Sequence, residues 1–153
     1  MKIEFFVPEI RGKGRPRLTK NGVAFTDAKT RSYENLVKLL ALQAMENAGA
    51  QMTDKPVKAT INAFFEIPKS YTKKKVQAII NGEIKPAKPD VDNIIKSIFD
   101  GCNKIVFKDD VQIYAISAIK SYITNLDRYG VYCIFEWDNW YIIFLQISIC
   151  SVC

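Results

Sequence analysis

KPDVDNIIKSIFDGCNKIVFKDD, residues 88–110, sets two aspartates two positions apart, a lysine one helical turn later and an aspartate pair at its end. Pro89 fixes its own backbone and steers Lys88 out of the helical region. A helix is therefore predicted from about Asp90, with Asp90 as its N-cap. Val91, Ile94, Ile95, Ile98, Phe99 and Cys102 recur at helical spacing and form its buried stripe. Asp92 and Lys96, four apart, share another face. Gly101 is placed to end the helix, and Asn103 to Lys108 lead into a turn at Asp109 and Asp110. If that turn folds back beside the helix start, Asp90, Asp92 and one of Asp109 or Asp110 converge. Carboxylate oxygens gathered there suit Mg²⁺ or Mn²⁺, which activate water and neutralise a phosphoryl oxygen.

The same residues have a plainer use. Asp90 serves as an N-cap and Asp92 as a favourable charge at the positive end of the helix dipole. Lys96 serves as the i,i+4 partner of Asp92, a pair worth ~0.3–0.5 kcal/mol on a solvated surface. Asp109 and Asp110 serve as turn formers. From spacing alone the two uses stand level.

Composition narrows the chemistry. The 153 residues make one domain by size, and 48% hydrophobic with 25% charged residues describes a soluble globular protein. The net charge of +6 is unevenly spread. Residues 1–89 carry 17 Lys and Arg against 8 Asp and Glu, a net of +9, whereas residues 90–153 carry 5 against 8, a net of −3. A basic front half attracts a polyanion toward an acidic cluster, the polarity of a DNA surface around a metal site. With no histidine in the chain, Ser-His-Asp and Cys-His schemes and imidazole zinc sites are excluded. The four cysteines, Cys102, Cys133, Cys150 and Cys153, make no spaced framework and read as reduced thiols of a cytoplasmic protein. Glu4 and Pro8 interrupt any signal-peptide core at the N-terminus.

Outward from the central stretch, Ile3, Phe5 and Val7 alternate as a half-buried strand ended by Pro8. In RGKGRPRLTKNG, residues 11–22, the cations Arg11, Lys13, Arg15, Arg17 and Lys20 are interleaved with Gly12, Gly14 and Pro16. This is a predicted phosphate-gripping loop, with a hairpin turn at Asn21-Gly22. A helix from about Ala28 to Ala48 is stopped by Gly49 and packs through Tyr33, Leu36, Val37, Leu40, Ala41, Ala44 and Met45. Val57 to Ile67 follows as a central strand. Next comes a lysine-rich arm with Lys69, Lys73, Lys74, Lys75, Lys85 and Lys88 around a short helix from Thr72 to Asn81. Such an arm either lies along DNA or is simply a solvated insertion.

After Asp110, the residues Val111, Ile113, Ala115, Ser117 and Ile119 are expected on one face of a long strand and Gln112, Tyr114, Ile116 and Ala118 on the other. Val131 to Glu136 is expected to return as its antiparallel partner. The order β-α-β-α-α-β-β implies a single α+β domain on one mixed sheet over residues 1–137. The apolar tail, 138–153, is too short from Tyr141 to span a bilayer, which takes about 20 residues. It reads either as an added edge strand, within the domain or across a dimer, or as an unselected end.

The motifs KPDVDNIIKSIFDG and KDDVQI, with KGRPR and IPKSYTKKK in order before them, resemble the RusA family of Holliday junction resolvases of phages and prophages. The resemblance covers about Lys2 to Trp137. It implies a Mg²⁺-dependent (or Mn²⁺-dependent) crossover junction endodeoxyribonuclease acting as a homodimer on four-way DNA. Carried over by position, the family's acidic triad falls on Asp90, Asp92 and Asp110 and its lysine on Lys96, with Asp109 beside them as a further metal candidate. Arg11, Lys13, Arg15, Arg17, Lys20, Lys69, Lys73, Lys74, Lys75 and Lys88 are the expected DNA contacts. Two other functions compete: a structure-selective nuclease of flaps or forks, and a DNA-binding protein without turnover.

Overall fold

The alternation of Ile3, Phe5 and Val7 is realised as strand β1, Lys2–Val7, in a computed structural model that describes residues 1–14, 17–18, 24–25, 27–123 and 129–137. The minimal hairpin β2 (Arg17–Leu18) and β3 (Ala24–Phe25) follows, pairing Arg17 with Phe25 and Leu18 with Ala24. The expected turn at Asn21-Gly22 lies outside the described residues. Then come α1 (Ala28–Asn47), β4 (Val57–Glu66), α2 (Lys73–Ile80), α3 (Val91–Cys102), a 3-10 turn (Asp110–Gln112), β5 (Ile113–Ile123) and β6 (Gly130–Glu136). This is the anticipated α+β domain on one mixed sheet, in the anticipated order.

The sheet runs β1-β6-β4-β5. Its buried face carries Ile3, Phe5 and Val7, Val57, Ala59, Ile61 and Ala63, and Val131, Cys133 and Phe135. Against it pack Tyr33, Val37, Ala41, Ala44 and Met45 of α1 and Ile94, Ile98, Phe99 and Cys102 of α3. Phe5, Phe99 and Phe107 surround Phe135 with ring centroids 5.9–6.2 Å away. The opposite face is polar at its rim, where Lys2 pairs with Glu4 at 3.0 Å and Lys58 with Glu136 at 4.0 Å. Cys102 and Cys133 are buried free thiols whose titration burial pushes upward; Cys150, Cys153 and the whole tail lie outside the described residues.

Three expectations are corrected. β6 is antiparallel to β1 and β4 and does not pair with β5; β5 instead lies parallel to β4 at the sheet edge. The parallel pair is closed by the crossover through α2 and α3, as parallel strands require. Gly101 does not end α3. It lies in its last turn, where a Cβ would sit 2.6 Å from the Val37 side chain and 3.0 Å from the Glu34 carbonyl. Its smallness lets α3 close on α1, and the helix stops one residue later at Cys102, after which Asn103 is extended and Lys104 left-handed (φ 65°). Finally, β5 does not alternate simply. Val57 pairs with Ile113 but Lys58 pairs with Ala115, so one residue is inserted and the faces exchange. Ile113, Ala118 and Lys120 therefore share the face toward the helices, and Ile116, on the same side, stays exposed at the sheet edge.

Candidate active site

Proline and solvation explain the start of α3. Asp90 is its N-cap by backbone geometry, φ −67° and ψ 148°, yet its side chain makes no capping hydrogen bond. Both carboxylate oxygens instead accept from Lys88 Nζ at 3.0 Å, and the Lys88 side chain is 81% exposed. Asp92 occupies the first turn and Lys96 the next, both exposed. Among the described residues neither has a hydrogen-bond or ion-pair partner, so the i,i+4 pair allowed by their spacing is not formed. The plainer uses of these residues are thus largely unfilled: Asp90 does not cap with its side chain, and Asp92 and Lys96 do not pair.

Other groups hold the helix start. Lys120, on the helix-covered face of β5, donates from Nζ to the carbonyls of Ala87 at 2.8 Å and Pro89 at 2.9 Å. The Lys13 main-chain N–H donates to Asn93 O at 2.8 Å. Gly12 lies so close that a Cβ there would be 2.7 Å from Pro89 Cβ and 3.1 Å from Asn93 Cβ. Gly12, expected to admit a phosphate, admits α3 instead. Lys120 escaped the sequence reading because a single lysine in an apolar strand looks like surface.

At the other end of α3 the acidic pair divides its labour. Asp109 caps the 3-10 turn, accepting from Val111 N at 3.0 Å, while Gln112 Oε1 accepts from the Lys108 and Asp109 main-chain N–H groups. Gln112 Nε2 then donates to the carbonyls of Thr53 and Lys55. Asp110 is exposed and has no partner among the described residues. It stands at the entrance of β5 as expected, but far from Asp90. Lys120 fixes the start of α3 beside the late part of β5, and α3 then runs back toward the beginning of the strand. Twelve helical residues span ~18 Å, and the seven steps from Ile113 to Lys120 span ~23 Å. The expected convergence within one chain therefore does not occur, and among the described residues no three acidic or thiol groups are close enough to share a metal ion.

The donor set nevertheless suits a hard cation. Asp90 and Asp92 offer oxygens only, and Mg²⁺ is ordinarily held by one or two carboxylates with water and phosphate completing its shell. The positive end of α3 favours such anionic side chains.

The basic residues fall into three groups. Arg11 is tied to Glu9 Oε1 at 2.6 Å, and Lys13 Nζ binds Glu34 Oε1 at 2.9 Å and Asp100 Oδ2, bracing α1 against α3. Burial works against the Lys13 charge, but hydrogen bonds to Asp100 and Glu34 outweigh it and raise its pKa. Lys69, Lys73 and Lys74 are exposed, and Lys75 lies 3.5 Å over the Tyr71 ring. The neighbouring Tyr122 hydroxyl and Lys75 lower the titration of the Tyr71 hydroxyl. Arg15 and Lys20 lie outside the described residues, as does the Arg17 side chain. No helix among the described residues is long and apolar enough to cross a membrane.

Residues 8–131 match the model of the family described as Endodeoxyribonuclease RusA. Over 119 residues the chain is 30% identical to the uncharacterized protein YqaN of Bacillus subtilis (strain 168), covering 75% of this chain and 82% of YqaN.

Proposed function

The chain belongs to the RusA family of endodeoxyribonucleases, and on that premise we propose that it is a Holliday junction resolvase, a divalent-metal-dependent homodimer that nicks four-way DNA in two opposed strands. The observation that carries this proposal is the start of α3, where Asp90, Asp92 and Lys96 are exposed and little engaged by the fold.

Asp90 and Asp92 hold Mg²⁺ or Mn²⁺. When bound, that ion supplies Lewis-acid polarisation of the scissile phosphate and lowers the pKa of a water. Lys88 neutralises Asp90 in the free protein; being largely exposed, it leaves at little cost and becomes available to a phosphate. Lys96 projects from the same side as Asp92 and stabilises charge developing on phosphoryl oxygens or the leaving group. Lys69, Lys73, Lys74 and Lys75, with Arg15, Arg17 and Lys20, grip the backbone and favour branch shape over base sequence. Asp109 is occupied as a cap, which makes Asp110 the better metal candidate of the two.

Because Asp110 precedes the start of β5 while Lys120, near the strand's other end, holds the residue before Asp90, its contribution requires a second copy. β5 is the sheet edge and exposes Val111, Tyr114, Ile116 and Ile119 along or beside it. Two β5 edges paired antiparallel about a two-fold axis bring the beginning of one strand beside the end of the other. That is where Lys120 secures the start of α3. Asp110 of one copy then joins Asp90 and Asp92 of the other, giving two sites for two strands.

The test is cleavage of an immobile four-way junction with Mg²⁺, with EDTA and with the Asp92→Asn variant. Paired nicks lost in both controls are expected. Faster cutting of flaps or forks would transfer the protein to another substrate, and binding without nicking would make it a non-catalytic DNA-binding protein. Sharing of residues is tested with a doubly tagged heterodimer of Asp92→Asn and Asp110→Asn chains. One site regains every carboxylate, so single-strand nicking returns; a silent heterodimer beside an active wild type would place each site within one chain.

A further inference from the structure

We infer that Lys120 is a positioning residue for the acidic start of α3, fixing the backbone that aims Asp90 and Asp92 and freeing the Asp90 side chain from structural duty. The inference rests on the proposal that these two aspartates hold the metal.

An N-cap aspartate ordinarily satisfies one of the unpaired N–H groups of the first turn with its own carboxylate. Here it does not, and the carboxylate is turned to Lys88. A helix start without that restraint needs another one. Lys120 provides it from a different element, with two hydrogen bonds of 2.8 and 2.9 Å to carbonyls three and one residues before Asp90. Pro89 O is joined to Asp90 by a single peptide unit, so its direction limits the rotation available to the Asp90 backbone. Lys120 also sits on β5, the strand that Asp110 introduces. One strand therefore carries an acidic residue at its beginning and the restraint on the other two near its end.

Gly12 packing on Pro89 and the Lys13 N–H on Asn93 O hold the same turn from the opposite side. Neither reaches the carbonyls before Asp90. The Lys120 contribution is consequently separable: its loss should loosen the direction of the carboxylates while the helix remains folded.

Lys120→Met keeps the apolar stem and removes the donors; Lys120→Arg restores donors at similar reach. Three quantities are compared with wild type: single-turnover nicking, junction affinity in EDTA, and Mn²⁺ affinity measured by electron paramagnetic resonance without DNA. Misplacing a group that orients metal ligands costs about 10- to 100-fold. That loss is expected for Lys120→Met in nicking and Mn²⁺ affinity, with junction affinity unchanged and partial recovery in Lys120→Arg. Wild-type nicking and Mn²⁺ binding in Lys120→Met would overturn the inference alone. A parallel loss of junction affinity would overturn it in favour of a DNA contact. A wild-type protein that neither nicks nor binds Mn²⁺ would remove the metal proposal and the inference with it.

Discussion

The start of α3 and the 3-10 turn beyond its other end are both acidic and are built in opposite ways. At the end near β5's entrance, Asp109 and Gln112 form a reciprocal cap and Gln112 reaches on to Thr53 and Lys55. At the start, the capping position is filled by an aspartate whose carboxylate does not cap, and the restraint comes from Lys120. The difference teaches how to separate a carboxylate that a fold uses from one that a fold merely carries. Residue identity is the same for both; hydrogen-bond employment differs.

The strongest challenge to that contrast is Asp92→Asn. Junction nicking should fall by about three orders of magnitude or more if the residue holds the metal, with junction affinity retained and Tm unchanged. A matching fall in Tm would make Asp92 structural. Asp109→Ala should behave inversely. Loss of a cap costs about 1 kcal/mol, visible as a lower denaturation midpoint in urea, while nicking survives under stable conditions. Nicking abolished in that variant would erase the distinction between the two ends.

Smaller changes sharpen the contrast between free and engaged cations. Lys73→Ala and Lys74→Ala together should lower junction affinity and reduce the slope of log K against log salt by about one for each phosphate left unneutralised; Arg15→Ala should act in the same sense. Lys13→Met should leave the salt slope alone. It removes pairs of a partly exposed ammonium, worth up to ~1 kcal/mol. Since the pKa of Lys13 is raised, its stabilisation is fully present below the ordinary 10.5 and is lost as pH rises through the raised value. The Tm gap between wild type and Lys13→Met should thus be open at pH 9 and narrow above pH 11.

Local chemistry was legible where one residue dictates a boundary. Pro89 set the start of α3 and Gly49 with φ 58° stopped α1, and the expected start of α2 at Thr72 is its N-cap, which accepts from Lys75 N. The apolar stripe of α3 was right at Ile94, Ile98, Phe99 and Cys102, but Val91 is 38% exposed because the first turn projects beyond the core. Long-range pairing was not legible. Consecutive strands usually neighbour one another, so β5 and β6 looked like a hairpin, whereas β6 is inserted between β1 and β4. Gly101 showed the same limit: a stop signal and a close helix contact use the same letter. The candidate aspartates were all visible in sequence, but the distance between them was a property of the crossover.

The parallel pairing of β4 with β5 also imposes an order of events. Its partners, Val57 with Ile113 through Glu66 with Ile123, are nearly sixty residues apart in the chain, and pairings of such separation form after local ones. During synthesis, Asp90 and Asp92 emerge thirty and twenty-eight residues before Lys120. A growing chain can coil α3 early, yet its acidic start gains its anchor only when the edge strand docks. On the proposed function, cutting competence would follow that docking.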